Sequence, residues 1–64
     1  MKGSDIKAHM KAERISQATV ARKSGIDRMA LNLILNDKRR VEAIEYFKIC
    51  RALGVPMEKF FESA

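Results

Sequence analysis

Cysteine and histidine each occur once in these 64 residues, and glycine only three times. A lone Cys50 cannot staple the chain with a disulfide, so a core this small has to hold by packing alone. One Cys and one His (His9), with no carboxylates clustered near them, do not make a tetrahedral metal site. Three scattered glycines build no phosphate-cradling loop, and no Ser/His/Asp set, Cys/His set or carboxylate pair points to catalysis. The expectation is a non-enzymatic chain with no cofactor, since so short a domain leaves little volume for a substrate cleft. No apolar run approaches the length of a membrane span, and no signal peptide opens the sequence. With the unpaired thiol, this gives the expectation of a cytoplasmic protein.

What the chain does have is apolar content and positive charge. Hydrophobic residues make up 47%, enough for a folded single domain over 1–64 rather than a disordered tail. The net charge is +5, and it is unevenly placed. Residues 1–40 carry ten Lys/Arg against four Asp/Glu, a net +6, whereas residues 41–64 carry three against four, a net −1. A basic half of this kind is either a solvated surface or an electrostatic footprint for nucleic acid, and charge alone does not decide between them.

Periodicity gives an all-α, compact five-helix architecture with no strands and no repeats. After a short flexible segment 1–4, a first helix is expected to start near Ser4 or Asp5 and end about Glu13, with Ile6 and Met10 inward. Ser16 is a good cap for a second helix that stops at Ser24-Gly25. A third runs from about Arg28 to Leu35, followed by a polar loop, Asn36-Asp37-Lys38-Arg39-Arg40. A fourth covers about Val41–Leu53, with Glu42 and Glu45 at the positive end of its dipole and Gly54 ending it. Pro56 suits the first turn of a short fifth helix reaching about Phe61. The expected core is Ile6, Met10, Val20, Ala21, Ile26, Leu31, Ile34, Leu35, Phe47, Cys50, Leu53, Val55 and Phe60. Cys50 belongs there as a small apolar residue, since no candidate base lies near it in sequence.

Residues 17–36 carry the sharpest signal. Ala21 is small where a second helix must cross closely, and Gly25 sits where the first must end in a left-handed residue. Asp27 can cap the following helix, and Leu31 and Ile34, three apart, share its buried face. Two short helices joined by one tight turn in this way form the pattern of a DNA-binding helix-turn-helix.

Those residues, together with Ser16-Gln17, Asn36 and the closing Ala52-Leu53-Gly54-Val55, resemble the lambda-repressor/Cro-like family, also called xenobiotic-response-element-type helix-turn-helix. The resemblance spans about Ile6 to Glu62. It implies that the third helix lies in the major groove and presents Arg28, Met29, Asn32 and Leu33 to base edges. Arg28 is suited to guanine O6 and N7, Asn32 to adenine or to a phosphate, and Met29 and Leu33 to thymine methyl groups. It further implies phosphate contacts at Gln17 and Asn36, with Lys38, Arg39 and Arg40 completing a clamp. Of the last apolar residues, Phe60 is expected inside, and Met57 and Phe61 at a two-fold dimer surface. The implied protein is a small repressor or Cro-like regulator of a bacterium, phage or mobile element. It would act as a homodimer, even one that forms only on DNA, on a near-palindromic operator in double-stranded DNA.

Two features depart from the family's common pattern. Where many members bury an ion pair between the first and third helices, this chain has Met10 and Leu35, which are expected to touch. The reading face is also partly apolar at Met29 and Leu33. One helix face cannot bury these two along with Leu31, Ile34 and Leu35, so at least one is expected in solvent. That keeps an alternative open: a protein-interaction module, such as an antitoxin or adaptor, gripping a partner through the same face. His9 and Lys11 are expected to be plain surface.

Overall fold

The computed structural model describes residues 2–63, with Glu62 and Ser63 by their backbone alone. Met1, part of the segment expected to be flexible, lies outside the described residues. Four α-helices follow one another: α1 (Gly3–Ala12), α2 (Gln17–Ser24), α3 (Arg28–Leu35) and α4 (Ala43–Leu53). The fifth element is a 3₁₀ helix, Met57–Ser63, and not the α-helix expected there. No strand occurs among the described residues.

The helix boundaries follow local chemistry. Ser16 caps α2, its Oγ accepting from the Thr19 N–H at 3.1 Å, and Gly25 ends it in the left-handed region at φ 75°. Gly54 ends α4 in the same way at φ 71°. Two helices depart at their starts, α1 and α4. α1 begins at Gly3 with Lys2 in the cap position and no side-chain cap, so neither Ser4 nor Asp5 caps it. The fourth helix begins two residues later than expected, because Val41 and Glu42 precede it and Glu42 is extended (φ −87°, ψ 159°). The Glu45 carboxylate reaches back to the Glu42 N–H at 3.0 Å and fixes that start.

α1 packs on α3, and α2 packs on both α3 and α4. The buried cluster is Ile6, Met10, Val20, Ile26, Leu31, Ile34, Leu35, Tyr46, Ile49, Cys50 and Phe60. Met10 and Leu35 therefore share one core. Ala21, Leu53 and Val55 are half-buried against it. Phe47 does not belong to it: 42% of its surface is exposed, and Tyr46 and Ile49 take the inward positions on α4. Tyr46 can sit there because its hydroxyl donates to the Met57 carbonyl, tying α4 to the 3₁₀ helix. Phe60 meets the edges of both Tyr46 and His9 at ring separations of 6.4 and 5.7 Å.

Burial raises the Tyr46 hydroxyl to a pKa of about 12. Because the neutral phenol is favoured in the fold, stability is complete below the ordinary tyrosine value of about 10 and is lost as pH rises toward 12. Tyr46 is the only tyrosine in the chain, so the absorbance of tyrosinate reports it without ambiguity. The folded protein should titrate well above pH 10 and the denatured protein near 10. Coincident curves would mean that this ring is not held as described.

Candidate nucleic-acid interface

The second and third helices are joined by a turn in which every residue has a local cause. Ser24 is buried; its Oγ donates to the Ala21 carbonyl at 3.4 Å and accepts from the Ile26 N–H at 3.2 Å. Gly25 has open space where a Cβ would stand, so its positive φ is what asks for glycine. Ile26 then drops into the core. Asp27 caps α3 with one carboxylate oxygen, which accepts from the Met29 and Ala30 N–H groups at 3.1 and 3.3 Å.

α3 is anchored by Leu31, Ile34 and Leu35, all fully buried. Arg28, Met29, Asn32 and Leu33 all stand in solvent, with Met29 73% and Leu33 39% exposed. The four residues expected to face bases are thus together on one exposed surface. Both apolar ones are outside, where at least one was required to be.

Two of the residues expected at phosphates, Gln17 and Asn36, are joined to this surface by hydrogen bonds. Gln17, the first residue of α2, accepts from Asn32 Nδ2 at 3.1 Å through its Oε1. Asn36 Nδ2 donates to the Asn32 carbonyl at 2.8 Å, and Asn36 Oδ1 accepts from Lys7 Nζ at 2.7 Å. Lys7 was not foreseen at this surface, because 29 residues separate it from Asn36 and no local pattern announces the pairing. It brings a cation from α1 to the C-terminal end of α3. Lys11, expected to be plain surface, lines a groove together with Lys7 and Gln17.

The loop after α3 turns through Asp37 at φ 57°, a conformation Asp tolerates better than most residues. Lys38 and Arg40 are exposed. Arg39 instead folds onto Glu45, with Nη1–Oε1 at 3.1 Å and Nη2–Oε2 at 2.8 Å. This forked pair raises the guanidinium pKa and, with the Glu42 N–H, lowers that of the Glu45 carboxyl. One carboxylate therefore fixes both the loop and the start of α4.

On the 3₁₀ helix, Phe61 is 54% exposed and stacks on Tyr46 at 5.7 Å and 14°, while Met57 is half-buried against the core. Cys50 is buried, and burial raises its thiol pKa, which leaves it a packing residue. Among the described residues, no group of three or more His, Cys, Asp and Glu is placed to hold a metal ion. No helix among them is long and apolar enough to cross a membrane.

The helix-turn-helix family model HTH_3 matches residues 6–60, which covers all four α-helices but the first turn of α1. No curated protein and no solved structure gives a significant match. The match, the capped turn and the exposed α3 face together show that the chain belongs to the lambda-repressor-like (xenobiotic-response-element-type) helix-turn-helix family of DNA-binding domains.

Proposed function

We propose that this protein is a sequence-specific transcriptional regulator, a small Cro-like repressor that occludes a promoter by sitting on its operator. The observation that carries this reading is the exposure of Arg28, Met29, Asn32 and Leu33 on a helix whose other face is fully buried. A helix so anchored enters the major groove as a rigid body. Arg28 reads guanine, and Asn32 has one N–H and its Oδ1 left for an adenine edge. Gln17 has its carbonyl turned to Asn32, so its amide N–H groups are the ones offered to a phosphate. Asn36, Lys38 and Arg40 continue the phosphate contacts, and Arg39 contributes mainly by holding the loop against Glu45.

Phe61, exposed beside Met57, is the proposed seam of a two-fold dimer, which would set two copies of α3 about 34 Å apart. The deciding experiment is selection of bound sequences from a random duplex pool at moderate salt. A short near-palindromic motif is the expected product. Binding without enrichment that disappears as salt rises would remove the operator reading. The exposed Met29 and Leu33 would then favour a protein partner.

On the selected site, Arg28→Ala should cost about 1–3 kcal/mol and relax base choice at one position. Lys38→Ala and Arg40→Ala should weaken all sequences alike and each reduce the salt slope by about one. Arg39→Ala should change the slope less, because its charge is already matched by Glu45. Equal slopes for all three would contradict the role assigned to that ion pair.

A further inference from the structure

We propose that the outer face of α4, with the end of α2 beside it, docks an acidic amphipathic segment of a second protein, independently of the α3 face. Tyr46, Ile49 and Cys50 fix the inward side of α4. That leaves Ile44, Phe47, Lys48 and Arg51 together on the outward side, at three- and four-residue spacings, and all four are exposed. Ile44 is 59% and Phe47 42% exposed, and neither belongs to the core cluster. Single apolar residues on a surface are ordinary, but two large ones adjoining on one helix and bordered by charge form a patch suited to a partner.

The charge beside them is of one sign. Lys48 and Arg51 line a surface groove with Lys23 and the buried Ser24 at the end of α2. α2 and α4 together contain Arg22, Lys23, Lys48 and Arg51 against one acidic residue, Glu45. That carboxylate is taken by Arg39 and the Glu42 N–H. Among the described residues Lys48 makes no ion pair and reaches Glu45 only through its field. Helix dipoles account for the cations at Arg22, Lys23 and Arg51, which stand in the last turns of α2 and α4. They do not account for Lys48, further from the end of α4, nor for Ile44 and Phe47. A nucleic-acid backbone would match the cations but has no apolar surface to cover the two apolar side chains. A segment with an aromatic or aliphatic residue beside Asp or Glu satisfies both, its apolar side chain on Ile44 and Phe47 and its carboxylates at Lys23, Lys48 and Arg51. α2 stands between α4 and α3, which do not adjoin each other. The segment and a duplex on α3 therefore occupy separate surfaces.

A random peptide library displayed on phage and panned against the full chain supplies the probe, and fluorescence anisotropy of the enriched peptide gives its affinity. Enriched sequences should set Asp or Glu beside an aromatic or aliphatic residue. Ile44→Ser and Phe47→Ala should each weaken the peptide about tenfold, and Lys48→Glu at least as much. All three sites are exposed, so the variants should keep the wild-type helicity. Lys38→Glu makes the same change of charge in the loop after α3 and should leave peptide affinity unchanged, as should Arg28→Ala. A random-sequence duplex should not displace the peptide. No enrichment, or enrichment without acidic residues, would overturn the inference. Equal losses in Lys48→Glu and Lys38→Glu would also overturn it, because they would show attraction to net charge alone. Displacement by the duplex would make the patch a nucleic-acid surface and overturn it equally. None of these outcomes depends on whether α3 reads an operator.

Discussion

Gly3→Ala should destabilise the domain by about 3 kcal/mol and lower Tm by about 10–20 °C. The sign is what makes this informative. Alanine is the better helix former, so at an exposed helical site the change would stabilise by up to about 1 kcal/mol. Gly3 is buried, and a Cβ there would stand 1.7 Å from the Ile34 carbonyl oxygen and 2.7 Å from its carbon. Both atoms are backbone at the end of α3, so no rotamer change relieves the clash. Either the first turn of α1 lifts away or α1 shifts on α3. Both responses disturb the packing that aims the exposed α3 face. Thermal unfolding by circular dichroism measures the effect. A Tm at or above that of the parent chain would show that α1 does not approach α3 so closely.

This close approach also marks the limit of what the chain reveals before it folds. Between Ser16 and Leu35 the structure is written locally. Ser16, Gly25 and Asp27 act on neighbours within a few residues, and their roles follow from residue type and order. The exposed site face was partly legible for the same reason: once Leu31, Ile34 and Leu35 point inward, at least one of Met29 and Leu33 must point outward, and both do. Gly3 gives no such sign, because its partner Ile34 is in another helix. The Lys7–Asn36, Asn32–Gln17 and Arg39–Glu45 pairs are likewise made by packing, and each could be seen only as two separate polar residues.

On α4 the pattern itself is ambiguous. Ile44 and Phe47 form one apolar stripe, while Tyr46, Ile49 and Cys50 form another. Phe47 with Cys50 fits a helical period as well as Tyr46 with Cys50 does. The choice is made by the Met57 carbonyl, which gives the Tyr46 hydroxyl a partner, a contact absent from any local reading. The last element likewise depends on contacts outside itself. Its apolar residues serve two demands at once, Phe60 filling the core and Phe61 stacking on Tyr46.

The largest effect is expected at Leu35, which with Met10 forms the apolar pair that the family resemblance matches to a buried ion pair. Leu35→Glu should cost about 3–5 kcal/mol, because it places an uncompensated carboxylate at a position with no solvent exposure. A domain of this size has a total stability of roughly 3–10 kcal/mol, so the variant should lose about a third or more of it near neutral pH. Its carboxyl would have a raised pKa in the fold, so the folded state gains relative stability as pH falls through that value. Met10→Arg should be less costly, since Met10 lines the groove shared with Lys7, Lys11 and Gln17, along which a long side chain can extend its charged end toward water. The informative protein is the double variant. Met10 and Leu35 lie in one cluster across the α1–α3 contact, so Arg at one and Glu at the other should pair. The double variant should be more stable than Leu35→Glu alone, and still no better than the parent, whose two apolar side chains bury no charge. Denaturant titration of the four proteins yields the coupling energy directly. Additive losses, with no recovery in the double variant, would show that these two positions are not neighbours. The apolar pair would then be two separate pieces of core rather than a replacement for the missing ion pair.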